Sequence, residues 1–350
     1  MPDLQKPRLV ILTAPGVSEP HNLADLQCKT DIVLATAESL ETAMQGADIV
    51  LLWDFFSSAL RDAWAGADSL KWVHVAAAGV DAILFPDLVR SEVQLTNAHG
   101  TFDAPIAEFA LASVLAHDKQ IHLSHDLQHA HRWTHRETAR TGGSRALIIG
   151  TGGIGRKIAR LFRAVGIEVR GAGRTGAGED PDFGTVLPTA ELARHVGWAD
   201  HVVVIAPLTE QTRGVINAEV LAAMKPTAHL INVARGQLVD EGALIAALRA
   251  GSIAAASLDV VAVEPLPPES PLWELEQVHL SAHMSGDVAG WRNDLADQFA
   301  DNLDRWLAGS PLAHRVDKAL GYVPRPAMPG PDGASPEGGR SRLNGAAEVG

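Results

Sequence analysis

The stretch Arg145-Ala-Leu-Ile-Ile-Gly150-Thr-Gly-Gly-Ile-Gly155-Arg-Lys-Ile-Ala-Arg160-Leu-Phe-Arg-Ala-Val165-Gly166 decides the fold. Ala146–Ile149 is a short apolar run that ends at a glycine, the pattern of a buried strand. From Ile154 the spacing changes. Ile154, Ile158, Leu161 and Val165 recur on one helical face, with Arg156, Lys157, Arg160 and Arg163 on the other. Gly166 then stands where helices end in a left-handed residue. Between strand and helix, Gly150, Gly152 and Gly155 form G-x-G-x-x-G. Such a turn lets a pyrophosphate approach the N–H groups of the helix N-terminus. Gly150, Gly152, Gly153, Ile154 and Gly155 are therefore candidate dinucleotide-binding residues. The same spacing recurs at Gly171, Gly173 and Gly176, but it runs into Gly178-Glu-Asp-Pro181, where no helix can start.

Working outward, similar apolar runs occur at Arg8–Ala14, Ile49–Trp53, Trp72–Val75, Ile167–Ala172, His201–Ile205, His229–Val233, Ala254–Leu258 and Val278–Ser281. Helical patterns separate most of them, one running from the N-cap residue Asp240 to Gly251. Strand alternating with helix predicts an α/β fold, a parallel sheet with helices on both faces. A length of 350 residues suits two domains. From Pro324 to Gly350, 5 prolines and 6 glycines leave little apolar surface to bury, which predicts a disordered tail.

Composition narrows the function. A net charge of -13 repels nucleic-acid phosphates and argues against nucleic-acid binding. Cys28 is the single cysteine, so neither an intrachain disulfide nor a thiolate cluster can form. No apolar run is long enough to cross a bilayer, and Leu9–Leu12 is too short for a signal-peptide core. These features predict a cytoplasmic protein with no membrane partner.

The strand after the glycine loop should end near the adenosine ribose, where NAD enzymes carry Asp or Glu. Here Gly173 holds the slot, followed by Arg174 and Thr175. No acid repels a 2′-phosphate, and Arg174 can pair with one. NADP(H) is the predicted cofactor, with NAD(H) possible. Hydride transfer to a ketone then needs a cation on the substrate and an acid for the oxygen. Arginine suits a carboxylate, and histidine titrates near neutral pH and holds its proton longer beside a carboxylate. Arg235, Glu264 and His283 each lie beyond a predicted strand end, where open α/β sheets place their sites.

The segments Ile231-Asn-Val-Ala-Arg-Gly-Gln-Leu-Val-Asp240, Leu258-Asp-Val260, Glu264-Pro-Leu-Pro267 and Ala282-His283 resemble the D-isomer-specific 2-hydroxyacid dehydrogenase family. So does Ala206-Pro-Leu-Thr-Glu-Gln-Thr212. The resemblance is strongest over residues 145–287 and extends more weakly over 48–323. It implies that Arg235 binds the carboxylate and carbonyl of a 2-keto or 2-hydroxy acid, and that His283 is the acid/base with Glu264 as its partner. It further implies Asp259 at the nicotinamide end, Pro207, Thr212 and Ala234 along the cofactor, and Ala78 and Gly79 of Ala77-Ala-Gly-Val-Asp81 on the substrate carboxylate.

The family pattern also implies two Rossmann-like, doubly wound domains with a cleft between them. Residues 1–97 and 287–323 would form the substrate domain, 98–286 the dinucleotide domain, and Asn97–Gly100 and His283–Asp287 the hinges. A homodimer is implied as well. The chain departs from the family at Ala282, often proline, and at Met284-Ser-Gly-Asp287. That leaves the pocket wall open, with Trp53, Trp291 and Arg292 as candidates.

Three other readings carry less weight. His122, His125 and His129 share a helix face, with His131 and His135 close behind, but no acid or cysteine completes a metal set at matching spacing. A dinucleotide-sensing corepressor is the alternative to an enzyme, and the intact Arg235, Glu264 and His283 favour catalysis. Formate-oxidising relatives carry glutamine at the position of Glu264, so the carboxylate counts against that activity.

Overall fold

The apolar runs pair edge to edge in the computed structural model, which describes residues 6–176 and 178–324. The predicted tail, apart from Pro324, lies outside the described residues. Strands β1 (Arg8–Leu12), β2 (Asp31–Ala35), β3 (Ile49–Leu52), β4 (Trp72–Val75) and β5 (Gln94–Asn97) form a five-stranded sheet in the order β2-β1-β3-β4-β5. Every pairing in it is parallel. A second sheet is built from β6 (Arg145–Ile149), β7 (Glu168–Gly173), β8 (Gly178–Asp180), β9 (Gly184–Pro188), β10 (His201–Val204), β11 (His229–Asn232), β12 (Ala255–Leu258) and β13 (Val278–Leu280). Its order is β13-β12-β11-β10-β6-β7-β9-β8, antiparallel only between β8 and β9. Strand order reverses between β6 and β10, and such a switch point opens a crevice beyond the strand ends. The Gly150 loop leaves β6 at that crevice.

Four strands escape the periodicity reading. β2 is an edge strand whose residues stay largely exposed or half-buried, and β5 ends in Thr96 and Asn97, polar residues that become buried only through tertiary contacts. β8 and β9 form a short hairpin where a βα unit would place a helix.

The helix after β6 spans Gly153–Ala164, and Gly166 beyond it has φ 86°. Its buried residues are Gly155, Ile158, Ala159 and Phe162, so the contact face is rotated from the expected stripe, and Val165 is exposed. The rotation follows from packing against the helix Asp103–Asp118, whose Ile106, Ala110 and Val114 join the same apolar cluster. The basic face is engaged too. Arg156 bonds Asp180 at 2.6 and 2.9 Å and Asp182 at 2.6 Å, and Arg160 bonds Asp182 at 2.6 and 3.0 Å. Hydrogen bonding from Arg160, then from Arg156, outweighs burial and holds the Asp182 carboxyl at about 2. These charges pin the β8–β9 hairpin to the helix.

Asp240 caps the helix Glu241–Arg249, its side chain accepting from the Ala243 N–H. The last long helix, Trp291–Leu307, returns to the first sheet, where Phe299 stacks on Trp72 with ring centroids 5.3 Å apart. Among the described residues no helix is long and apolar enough to cross a membrane.

At the amino ends of the second sheet the histidines gather. His117 stacks on His229 at 4.4 Å, His201 lies 5.8 Å from His229, and His122 stacks on His279 at 3.7 Å. On the helix Ile121–His129, His122 thus meets the second sheet, while His125 and His129 meet each other at 3.1 Å. The carboxylates facing the group are Asp118, 3.4 Å from His201, and Asp126 beside His279. Burial first, then neighbouring imidazoles, lowers His229 well below its ordinary value and His279 to about 4. The folded state therefore refuses protons that the unfolded chain accepts. The stability contributed by this group is fully present above pH ~6.5 and is lost as pH falls towards about 4. Melting temperature should drop by several degrees across that window, and His279→Gln should flatten the drop. A melting temperature independent of pH from 7 to 4 would contradict the assignment.

Candidate active site

The parallel register carries the candidate residues to one edge. Ala172, Ile149, Val204, Asn232, Leu258 and Leu280 lie on one rung through β7, β6, β10, β11, β12 and β13. Each loop that follows starts at the same height, so Gly150, Arg235, Asp259, Glu264 and His283 converge beyond the carboxyl ends. From the first sheet, the loop after β4 brings Ala78, Gly79 and Asp81 to meet them.

The glycine loop divides its tasks. A Cβ on Gly150 would lie 2.5 Å from the Ile205 carbonyl, where the loops after β6 and β10 press together. A Cβ on Gly155 would fall on the Gly150 carbonyl oxygen. Both glycines serve the close packing of strand, turn and helix. Gly152 is different: a Cβ there meets nothing within 4 Å. Packing does not demand glycine at that point, and the open space lies at the N-terminus of a 12-residue helix, which favours an anion. Ile154 is half-buried behind it, and Gly153 faces the Asp103 carboxyl, which burial raises.

At the ribose slot, a Cβ on Gly173 would lie 3.1 Å from Thr151 Oγ1, so a longer acidic side chain would be crowded there. Arg174 and Thr175 follow it and are exposed. Among the described residues Arg174 has neither an ion pair nor a hydrogen bond, which leaves its guanidinium open to a phosphate. Across the crevice, Thr212 Oγ1 donates to the Pro207 carbonyl at 2.6 Å and shapes the loop after β10. Asn232 does the same after β11, its Nδ2 donating to the Arg235 carbonyl at 3.0 Å and its Oδ1 accepting from the buried Ala234 N–H at 3.2 Å.

Arg235 is oriented by a residue the motif reading passed over. Its Nε donates to both Asp81 oxygens, at 3.1 and 3.3 Å, and its Nη1 donates to the Ala234 carbonyl at 2.8 Å. Nη2 lies against Gly79, where a Cβ would collide with it. Asn97 Nδ2 donates to the Ala78 carbonyl at 2.5 Å, and the Ala98 N–H to the Ala77 carbonyl at 3.0 Å. The carbonyls of this loop are thus tied down. Among the described residues the N–H groups of Ala78 and Gly79 have no partner, and they sit beside Arg235 Nη2. A planar fork next to free amides has the donors to hold a carboxylate. Asp81 stands within the Ala77–Asp81 loop that singled out its neighbours, but its role needs a partner 154 positions away.

His283 is held from beneath. Asp259, 1% exposed, accepts from Ser281 Oγ at 2.6 Å and from the Met284 and Ser285 N–H groups at 2.9 Å, while its carbonyl accepts from the His283 N–H at 2.8 Å. This clamp holds His283 at φ 51°, a left-handed conformation that costs a non-glycine residue about 1 kcal/mol. Asp259 therefore sits below the histidine loop as its anchor. His283 Nδ1 lies 2.8 Å from Glu264 Oε2, and Glu264 Oε1 accepts from the Val261 N–H at 3.1 Å. Burial pushes the Glu264 carboxyl up, but the His283 hydrogen bond and charge, the Val261 N–H and the Arg235 charge together bring it below its ordinary value. An ionised Glu264 fixes the tautomer with hydrogen on Nδ1 when the ring is neutral, which leaves Nε2 to exchange protons with a ligand. The Phe56 ring meets the imidazole edge-on at 5.5 Å, a contact that no motif announced.

The position of Gly79 is directly testable. Gly79→Ala would push the Arg235 guanidinium aside by about the width of a methyl group, and a misplacement on the order of 1 Å costs about a hundredfold in rate. Turnover should fall by that order while the melting temperature stays near that of the parent. Unchanged turnover would remove Arg235 from the reacting centre.

Residues 111–285 match the family model described as D-isomer specific 2-hydroxyacid dehydrogenase, NAD binding domain. A glyoxylate reductase of Aeropyrum pernix is 32% identical over 279 residues, 76% of this chain and 82% of its own. A D-isomer specific 2-hydroxyacid dehydrogenase of Xanthobacter autotrophicus, solved with NADPH and MES, superposes with a TM-score of 0.76 at 33% identity, covering 91% of this chain and 100% of that one. An NADPH-dependent glyoxylate/hydroxypyruvate reductase of Sinorhizobium meliloti, solved with NADP and sulfate, gives 0.77 at 27% identity, over 91% and 100% of the two chains. Two parallel sheets in this order, a glycine turn at the switch point, and similarity over most of both chains agree: the chain belongs to the D-isomer specific 2-hydroxyacid dehydrogenase family.

Proposed function

We propose that this protein transfers a hydride between NADP(H) and a 2-keto acid or the matching D-2-hydroxy acid. The observation that carries the reading is the His283–Glu264 pair, 2.8 Å apart, in the same cleft as Arg235, whose charge acts on Glu264. The substrate carboxylate lies on Arg235 Nη2 and the Ala78 and Gly79 N–H groups. The same guanidinium draws electron density from the carbonyl. As the carbonyl carbon is reduced, its oxygen gains charge and takes the proton from His283 Nε2. Glu264, ionised through its partners, holds the ring in line and offsets its charge while it carries two protons. In the oxidative direction His283 takes the hydroxyl proton instead. The nicotinamide cofactor, when bound, supplies or accepts the hydride.

The open space over Gly152 and the exposed Arg174 fit a dinucleotide with a 2′-phosphate. The relatives solved with NADPH or NADP support the same cofactor, with NAD(H) a weaker second choice. Relatives named as glyoxylate or glyoxylate/hydroxypyruvate reductases support a 2-keto acid as substrate. Residues 1–97 with 287–323 form the substrate domain in this reading, and 98–286 the cofactor domain. The return of helix Trp291–Leu307 to the first sheet supports that division. The protein is cytoplasmic and homodimeric in this reading. The exposed Ile121, Leu123 and Trp133 are apolar side chains that a second copy would cover.

Initial rates of NADPH and NADH oxidation with glyoxylate and hydroxypyruvate test the reading. NADPH should be the better cofactor, and Arg174→Ala should weaken NADPH binding about tenfold more than NADH binding. His283→Ala should lower turnover by about a hundredfold or more, with NADPH affinity little changed. Tight NADPH binding without turnover of any 2-keto acid would overturn the proposal and favour a sensor.

A further inference from the structure

The cleft carries a second cation that the reaction above does not use. Phe56 meets His283 at 5.5 Å, Phe55 lies 4.6 Å from Phe56, and Trp291 lies 5.8 Å from Phe55. Arg292 closes this aromatic wall, its guanidinium carbon 4.4 Å from the Trp291 ring centroid, 5.8 Å from Trp53 and 5.9 Å from Phe55. The rings attract the cation and fix its plane, but they accept no hydrogen bond from its N–H groups in the way a carboxylate does.

Arg292 is half-buried, and its Nη1 is enclosed with no hydrogen-bond partner among the described residues. Nor does it form an ion pair with any described carboxylate. Three other arginines that are at least partly buried or pinned by charge differ in this: Arg235 rests on Asp81, and Arg156 and Arg160 on Asp180 and Asp182. A partly buried guanidinium without an acceptor is costly, and it is kept where a ligand completes it. Asp287 lies in the field of both Arg292 and His283, but burial pushes its carboxyl up, which weakens its claim on the cation.

We propose, resting on the 2-keto acid reading above, that Arg292 selects the substrate side chain, and that the preferred substrates are 2-keto acids carrying a second carboxylate. Arg235 takes the carboxylate next to the carbonyl. Arg292, on the wall beyond His283 and Phe56, takes the one at the far end. With Nη1 enclosed among the rings, the Nε and Nη2 edge of the guanidinium is the side that meets the carboxylate, and it matches one in two hydrogen bonds. An aliphatic side chain would leave the guanidinium unpaired, which is the strongest form of discrimination a binding site can apply.

The experiment compares kcat/KM for NADPH oxidation by the purified full chain with 2-oxoglutarate and oxaloacetate, with 2-oxobutyrate, and with glyoxylate, which has no side chain. The parent protein should prefer the diacids over 2-oxobutyrate by about tenfold or more. In Arg292→Met the ratio of diacid to glyoxylate kcat/KM should fall by about a hundredfold, mainly through KM, and Arg292→Lys should give an intermediate ratio. A merely structural role would lower all substrates in proportion and leave the ratio unmoved, which would overturn the proposal. So would a parent protein that turns over glyoxylate and 2-oxobutyrate yet shows no preference for the diacids; the reductase reading would then stand without this one. No turnover of any of these acids overturns both.

Discussion

Backbone hydrogen bonding across β7, β6, β10, β11, β12 and β13 sets the height at which every functional loop begins. Parallel neighbours cannot be joined by a tight hairpin, so each of these strands releases its chain beyond the carboxyl edge before the chain returns to the amino edge. The glycine turn, the arginine loop, the aspartate below the histidine and the histidine itself are therefore neighbours because their strands share one rung. A shift of one residue in any strand would move its side chains to the opposite face of the sheet and withdraw its loop from the site.

On that frame, buried polar groups convert loose loops into fixed ones. Asp259 takes three donors from Ser281, Met284 and Ser285, and Asn232 ties both sides of the turn that ends in Arg235. Each is buried and fully occupied, so removing it would strand several partners at once. The left-handed backbone at His283 persists because these bonds determine it. Rigid loops of this kind meet the demand of hydride transfer, in which groups act only when aligned.

Charge is distributed by edge. The carboxyl ends carry Arg235, Glu264, His283 and Arg292, while the amino ends collect His201 and His229 over Asp118. Burial keeps His229 neutral and apart from the chemistry, so acid acts on the fold there and on the reaction elsewhere. The first sheet closes the arrangement: Asp81 and Gly79 hold the Arg235 side chain that the second sheet presents.

The alternation of apolar runs with helical spacing in Ala146–Val165 and after it already specified a parallel α/β fold. The ordered set of Arg235, Glu264 and His283 already specified the candidate chemistry, because these signals are local and repeat at periods the backbone imposes. The strands β2 and β5 were hidden, since an edge strand and a strand ending in Thr96 and Asn97 take their burial from neighbours far along the chain. The buried face of helix Gly153–Ala164 was hidden for the same reason, being set by the helix that packs on it. Asp81 and Phe56 owe their places to contacts between distant segments, and Arg292, already a pocket-wall candidate, meets Trp53 and Phe55 only in the fold. Periodicity reports which side of an element is apolar, but which side chains face one another across a cleft is decided by how two sheets and their helices pack, and only the tertiary structure holds that information.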